Sequence, residues 1–170
     1  PDVAVVAGPT DREVDTVDLG GWTREWGLVV PAGNPDGIEG LGDLVDRDLV
    51  FVNRNTDAGL RSSLDAAVDD LAERRGATRP ELTDAIRGFA VGTKGVESPA
   101  RAVARGDADA GLGLRATAAS LGLGFVSLGT ESVRVRANPD RVEKAGVEEL
   151  SARLDALEPV TDGLAGYHPE

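Results

Sequence analysis

Residues 53–61 carry the side chains best suited to hold a small anion. Arg54 and Arg61 supply positive charge, Thr56 supplies a hydroxyl, and Gly59 lets the backbone approach a ligand closely. The apolar spacing that follows predicts a helix from about residue 60, so the free backbone N–H groups of its first turn would face the same place. This stretch therefore predicts an oxyanion site at a helix N-terminus.

A second candidate loop runs over residues 93–98. Lys94 provides a cation, and Ser98 provides a hydroxyl directly before Pro99. Serine followed by proline is typical of a helix start, with Ser98 as the N-cap and Pro99 at the first helical position. Taken over both loops, the predicted ligand-binding residues are Arg54, Thr56, Gly59, Arg61, Lys94 and Ser98.

The sequence lacks the residues that disulfides, thiolate metal sites and catalysis by a cysteine or a serine–histidine triad require. The chain has no Cys and a single His, His168, which excludes disulfides, thiolate metal sites, cysteine nucleophiles and a serine–histidine triad. Asp107 and Asp109 stand among glycines without further carboxylates at metal-ligand spacing, so we expect Asp109 to fix a loop. We predict no catalytic residue, no metal and no cofactor other than an oxyanion ligand.

The net charge limits the kinds of partner that the chain is expected to bind. The net charge is -12, from 30 acidic and 18 basic residues, and the only lysines are Lys94 and Lys144. This composition is typical of a haloarchaeal, cytoplasmic protein, and such a surface repels phosphate backbones, so we expect no nucleic-acid binding by this chain alone. No signal sequence and no run of about 18 apolar residues is present, so we expect no membrane partner. Because Pro1 leads directly into an apolar run, the chain reads as an internal piece of a longer protein.

Apolar runs alternate with helical patterns along the chain. The clearest helix covers 60–74, with Leu60, Leu64 and Val68 on one face and Gly76 at its end. Short apolar runs predict buried strands. The predicted strands are 3–7, 27–30, 49–52, 89–91, 110–112, 125–128 and 133–137, and the other helices are 41–45, 81–86, 98–105, 115–121 and 147–157. This alternation indicates an α/β fold with mainly parallel sheets.

Four blocks in fixed order carry a resemblance to a known family. The blocks are Arg24–Pro35, Phe51–Asp65, Ala102–Gly113 and Leu123–Glu131, similar to the family patterns R-E/Q-x-G-L-x-V-x-x-G-N-P, F-V-N-R-x-x-G-S-G-T-R-x-x-L-D, A-V-A-x-G-x-A-D-A-G-L-G and L-x-F-I-P-L-x-x-E. Together they cover about residues 20–135. The chain resembles the periplasmic-binding-protein-like domain fused to MoeA-type molybdopterin-biosynthesis proteins, and found elsewhere behind helix-turn-helix domains.

The resemblance implies a type II binding-protein fold, with two α/β lobes around a cleft. We expect one domain over 1–170, with lobe 1 formed by 1–31 and 128–170 and lobe 2 by 32–127, and with the N-terminal part of lobe 1 missing. The turn Gly33-Asn34-Pro35, with Asn34 held extended by Pro35, and the region near Leu128 are the expected crossings. The implied ligand is molybdate, tungstate or a molybdopterin-related compound, and the implied partner is a fused or separate molybdopterin-biosynthesis domain.

The binding loops depart from the family pattern. Where the family has Gly-Ser-Gly-Thr-Arg, this chain has Asp57, Ala58, Gly59, Leu60 and Arg61, so two hydroxyls are lost and a carboxylate is gained. The Thr-His pair of the second loop reads here as Gly-Val at positions 95 and 96. These changes leave three outcomes open: intact oxyanion binding, an altered ligand, or no ligand.

Two alternatives accompany the binding-module interpretation. One is a degenerate, non-binding interaction or regulatory domain of a molybdopterin-biosynthesis protein, and the other is an enzyme, which the residue inventory disfavours. Individual residues also have structural interpretations. Asp57 is expected to cap the helix after it, Trp22 and Trp26 to lie in the core or, alternatively, to stack on a pterin, and Glu131 to lie either at the cleft or in a solvated loop.

Overall fold

The computed structural model describes residues 1–7, 15–156 and 161–169. The strands are β1 (Val3–Ala7), β2 (Val17–Val30), β3 (Phe51–Arg54), β4 (Gly92–Thr93), β5 (Ala110–Leu114), β6 (Gly124–Ala137) and β7 (Tyr167–Pro169). The helices are α1 (Leu41–Asp46), α2 (Gly59–Arg75), α3 (Arg79–Ala85), α4 (Ser98–Ala104), α5 (Arg115–Ser120) and α6 (Ala145–Leu154), with a 3-10 turn at Pro139–Arg141. Within the described ranges, no helix is both long and apolar enough to span a membrane.

The chain divides into two compact units. Unit 1 comprises Pro1–Arg24 and Thr130–Glu170, and unit 2 comprises Glu25–Gly129. The sequence places the crossings at 31/32 and 127/128, whereas this division cuts strands β2 and β6 internally, at 24/25 and 129/130. The lobe bounds inferred from the sequence stay a prediction.

Unit 2 contains a mixed sheet in the order β6, β2, β5, β3, β4. β3 runs parallel to β4 and β5, whereas β5 is antiparallel to β2, with Leu28 opposite Leu112. The prediction of mainly parallel sheets is therefore wrong. Strands that alternate with helices predict right-handed parallel crossovers, but the pattern cannot reveal that β2 enters the sheet in the opposite direction.

Helices cover both faces of this sheet. On one face α1, α2 and α3 bury a cluster that includes Leu28, Phe51, Leu64 and Leu112, each at most 2% exposed. On the other face α4 and α5 contribute smaller clusters of alanine and valine. Apolar residues of α2 recur at helical spacing and point to the sheet, and the left-handed Gly76 (φ 62°) ends the helix as predicted.

Unit 1 contains the last part of β6, from Thr130 to Ala137. β1 pairs with it antiparallel from Val3 opposite Ala137 to Ala7 opposite Val133, and β7 pairs antiparallel with β2. Every second residue of β6 from Glu131 to Ala137 is buried, as expected for a strand with one covered face. β1 was expected to be buried, but it lies at the edge of the sheet order and its Val5 is 64% exposed.

Three further local predictions are wrong. The apolar runs 125–128 and 133–137 form one strand, β6, because Gly129 and Thr130 continue the extended backbone between them. β2 begins at Val17, ten residues before the predicted start, because its first half is polar and glycine-containing. Phe89–Val91 is a turn, and the short strand β4 follows it at Gly92–Thr93.

Asn34 adopts a left-handed conformation with a φ of 48°, and not the extended one that Pro35 favours. Its side chain explains the exception. Asn34 Nδ2 donates to the Ile38 carbonyl (2.9 Å), and the Ile38 N–H donates to Asn34 Oδ1 (3.0 Å). Asn tolerates this backbone region better than most residues, so the Asn of this family block closes the loop before α1.

Candidate functional site

The two predicted anion loops lie beside each other. β3 and β4 pair in parallel, with Asn53 opposite Gly92 and Arg54 opposite Thr93, so both strands end at the same edge of the sheet. Beyond the pairing, the Asn55 N–H donates to the Thr93 carbonyl (3.0 Å), and Thr93 Oγ1 donates to the Asn53 carbonyl (3.0 Å). The carboxyl ends of parallel strands in α/β sheets are where such folds bind ligands.

Asn53 and Gly92, which were not among the predicted site residues, fix the shape of this edge. The fully buried Asn53 donates from Nδ2 to the Phe89 carbonyl (2.9 Å), and its Oδ1 accepts from the Arg54 N–H (2.8 Å). A β carbon at Gly92 would lie 2.6 Å from Asn55 Cα, so only glycine allows the strands to approach this closely. The sequence signal that could have pointed to Asn53 is its place in the F-V-N-R block of the family pattern.

Helix α2 begins at this edge. Its first residue is Gly59 and its N-cap is Ala58, and no side chain caps the helix. The expectation that Asp57 caps it is therefore wrong, because the helix starts one residue too late for Asp57 to hold the N-cap position. Thr56 and Asp57 form an exposed turn before the helix. The first backbone N–H groups of this 17-residue helix thus have no capping side chain, and they lie where the sequence predicts the oxyanion site.

Arg54 is a buried cation at the end of β3. It is 8% exposed, its Nε has no hydrogen-bond partner, and its guanidinium forms no ion pair with the residues that the structure describes. Burial lowers the pKa of Arg54 from its ordinary value, but a guanidinium stays protonated at neutral pH. A buried charge without a counter-charge is costly, so Arg54 is the strongest candidate for contact with an anion.

Arg61 is buried to the same extent, but its guanidinium has several partners. Its Nε donates to Asp65 Oδ1 (3.0 Å), its Nη1 donates to the Arg54 carbonyl (3.2 Å), and its guanidinium carbon lies 4.5 Å from the centre of the Phe89 ring. Asp65 also pairs with Arg79 (2.8 Å). The geometry gives Arg61 a structural function, since it joins α2 to the end of β3.

The second loop presents its predicted residues differently. Lys94 is exposed, and Ser98 is half-buried. Ser98 is the first residue of α4 and Glu97 holds the N-cap position, so the prediction of Ser98 as N-cap is displaced by one residue. A β carbon on Gly95 would collide with Ser98 Oγ, which shows that the loop folds tightly over this hydroxyl.

The remaining candidate residues have structural surroundings. Asp109 Oδ2 accepts from the Val50 N–H (2.7 Å), which confirms its loop-fixing function. Glu131 is 5% exposed and binds Arg24, so the solvated-loop interpretation is wrong. Trp26 is a core residue of unit 2. Among the described residues, no group of three or more His, Cys, Asp or Glu side chains is placed to hold a metal ion.

Comparison with known proteins identifies the superfamily of the chain. Residues 11–155 match the family described as PBP superfamily domain. The sulfate-binding protein SubI from Mycobacterium tuberculosis H37Rv superposes with a TM-score of 0.63 at 15% identity, covering 88% of this chain and 57% of that one. No curated protein sequence matches.

Two further solved structures share the fold. Peb3 from Campylobacter jejuni, solved with L-phospholactate bound, gives a TM-score of 0.62 at 16% identity over 89% of this chain and 68% of that chain. The substrate binding domain of a molybdenum ABC transporter from Clostridium difficile gives 0.54 at 16% identity, over 90% and 66%. At these identities the likeness shows the fold alone, and it confirms the predicted periplasmic-binding-protein-like α/β class.

Proposed function

From the premise that this chain belongs to the PBP superfamily, we propose that it is a ligand-binding module for a small anion and has no catalytic activity of its own. The anion would bind where β3 and β4 end and α2 begins. Its proposed contacts are Arg54, Thr56, Gly59, Lys94 and Ser98, with Arg61 behind them as support. Proteins of this superfamily are generally binding proteins and not enzymes.

The buried, unpaired guanidinium of Arg54 carries this proposal. The chain has a net charge of -12, so a weak general attraction for anions is not expected, and a specific cation must do the binding. Arg54 is that cation, and the uncapped start of α2 follows it by five residues. Helix N–H groups and one guanidinium together are a common way to hold an oxyanion.

The molybdenum link is the finer part of the proposal. We assign the domain to molybdenum cofactor biosynthesis in a haloarchaeal cytoplasm, with molybdate or tungstate as ligand and a molybdopterin-biosynthesis domain as fused or separate partner. The four sequence blocks, the acidic composition and the fold shared with a molybdenum transporter's binding domain support this assignment. The sulfate-binding neighbour supports the broader oxyanion class equally well.

The decisive experiment compares two arginines that are equally buried. Arg54→Met should abolish calorimetric binding of molybdate, tungstate and sulfate, yet raise the free energy of unfolding by about 1–2 kcal/mol, because an uncompensated buried charge is removed. Arg61→Met should lower the free energy of unfolding by about 1–3 kcal/mol, because the Arg54 carbonyl loses its side-chain donor and Asp65 loses one of its two arginine partners. Urea unfolding of the ligand-free proteins measures both changes.

The second candidate function is the degenerate interaction domain. The observation in its favour is that Leu60, which replaces a hydroxyl of the family pattern, is 5% exposed and belongs to the apolar core. If no oxyanion releases heat and Arg54→Met leaves stability unchanged, the binding proposal fails. Capture of a stable partner by the same full chain would then support the interaction domain.

A further inference from the structure

Unit 2 exposes only two large aliphatic side chains, and both lie in the segment that contains β4 and the second candidate loop. All of unit 2, Glu25–Gly129, lies in the described part of the chain, and its exposed large hydrophobic residues are Val91 (70%) and Val96 (57%). The other exposed large hydrophobic residues in the described part of the chain, Val5, Val17 and Leu164, belong to unit 1. Single exposed valines are ordinary, but two within six residues, in the segment that forms one side of a polar site, need a reason.

This segment is held against the proposed anion contacts. β4, at Gly92–Thr93, follows Val91 directly and pairs with the end of β3, so Thr93 lies opposite Arg54. Val96 follows two residues after Lys94 and precedes Ser98 by two. We call Val91 and Val96 the apolar rim. The rim therefore flanks Thr93 and Lys94, and Thr93 is hydrogen-bonded to Asn53 and Asn55, the neighbours of Arg54 on β3 and just after it.

We propose that the ligand is a small organic anion, a carboxylate or phosphate monoester with a branched apolar group, and not a bare inorganic oxyanion. This inference rests on the proposed function and specifies its substrate class. The anionic head would meet Arg54 and the first amides of α2, and the apolar group would cover the rim. An inorganic oxyanion would leave both valines in water, whereas binding sites for organic ligands combine apolar walls with a few polar groups.

The differences between the two binding loops and the family pattern also favour a partly apolar ligand. At the positions where the resembling family has hydroxyls and an imidazole, this chain has Ala58, Leu60 and Val96. Leu60 is buried in the core and cannot reach a ligand, but Val96 is exposed. Val96 therefore presents an exposed apolar side chain where the resembling family has an imidazole, which suits a ligand that is itself partly apolar.

Calorimetry with matched pairs of anions tests the proposal on the full chain. The pairs are inorganic phosphate against isobutyl phosphate, and acetate against isovalerate. Each methylene that the rim covers should tighten binding about fourfold, so isobutyl phosphate should bind at least about tenfold more tightly than phosphate. Arg54→Met should abolish binding of both members of each pair, because they share the anionic head.

The rim variants provide the specific readout. Val96→Ser and Val91→Ser should each weaken isobutyl phosphate binding about three- to tenfold and leave inorganic phosphate binding unchanged. The matched control is Val5→Ser, which changes a valine of similar exposure (64%) in unit 1 and should alter neither affinity. Because all three side chains are exposed, the variants should fold normally.

The possible outcomes separate this inference from the proposed function. Equal affinity for phosphate and isobutyl phosphate, unaffected by Val96→Ser, overturns the organic-anion proposal and leaves anion binding intact. Failure of every anion to bind, together with unchanged stability of Arg54→Met, overturns both. If the chain instead self-associates in sedimentation and Val96→Ser abolishes the association, the rim is a protein interface and the organic-anion proposal is wrong.

Discussion

The two units of this chain differ sharply in what they bury. Unit 2 holds three apolar clusters on both faces of its sheet, including side chains such as Leu28, Leu64 and Leu112 that are fully buried. Among the described residues of unit 1, the buried hydrophobic side chains are Val133, Val135, Ala137 and Val147. Because the candidate site lies wholly in unit 2, it rests on the part of the chain that supplies its own core.

This difference has a consequence for the site. A binding site works best when its groups are held in place before the ligand arrives, and dense packing provides that rigidity. Asn53, the anchor of the β3 edge, is fully buried beside the main cluster, and Arg61 braces α2 against the same edge. We therefore expect unit 2 to resist local opening more than unit 1.

The largest expected effect comes from a cavity in unit 2. Leu64→Ala removes a fully buried side chain of α2 and should lower the free energy of unfolding of unit 2 by about 2–5 kcal/mol. Urea unfolding followed by tryptophan fluorescence measures this. Trp26 lies in the unit 2 core, and a Trp22→Phe background removes the signal from the tryptophan in unit 1.

Val135→Ala is the counterpart in unit 1. Val135 is 3% exposed, and its loss should cost about 1–2 kcal/mol. If the two units unfold independently, only Leu64→Ala shifts the Trp26 transition. If Val135→Ala shifts that transition equally, the units unfold together, and the contrast between them does not govern stability.

Two glycines with positive φ provide an intermediate effect. Gly88 in unit 2 has a φ of 97°, and a β carbon there would collide with the Phe51 carbonyl oxygen, so Gly88→Ala should cost about 2–3 kcal/mol. Gly20 in unit 1 has a φ of 116° with its nearest neighbour at 3.7 Å, so Gly20→Ala carries only the backbone strain, about 1–2 kcal/mol. Thermal unfolding of both variants checks the order, and a larger loss for Gly20→Ala would contradict the denser packing of unit 2.

The smallest expected effect is a pH dependence at the start of α3. The Thr78 backbone N–H (2.6 Å) and hydroxyl (2.7 Å) both donate to Glu81 Oε2, and they hold the pKa of this carboxyl below its ordinary 4.5. The stabilisation is present above the ordinary pKa and is lost as the pH falls through the lowered value. Glu81→Gln cannot titrate, so its melting temperature should fall less steeply than that of the wild type between about pH 5 and pH 3. If the melting temperatures of the two proteins fall in parallel across that range, the hydrogen bonds between Thr78 and Glu81 contribute nothing to stability.

Much of unit 2 could be predicted from the sequence because its elements carry strong local signals. Leu64 and Val68 recur at helical spacing and Gly76 ends the pattern, so α2 was predicted to within one residue at each end. The start of β2 and the continuity of β6 could not be predicted, because polar and glycine residues interrupt the apolar pattern while cross-strand pairing maintains the strands.

The candidate site was predictable in position but not in detail. The sequence spacing predicts that Arg54 and Gly59 lie near the start of a helix. The structure agrees for α2, and it also places the second loop beside these residues. From the sequence alone, Arg54 and Arg61 are equally good candidates for the cation that binds the ligand. Their difference depends on the fold, because Asp65 and Phe89 contact Arg61, whereas none of the described residues forms an ion pair with Arg54.

Unit 2 is one uninterrupted run of chain, Glu25–Gly129, whereas unit 1 consists of two separate pieces. The two ends of this run belong to β2 and β6, which are neighbours in the sheet order. A segment whose termini are adjacent can be grafted between two paired strands of a host protein without a long linker. Unit 2, which carries the candidate site, is therefore suited to insertion into a host protein, where ordering of its loops by a ligand would change the host strands that flank it.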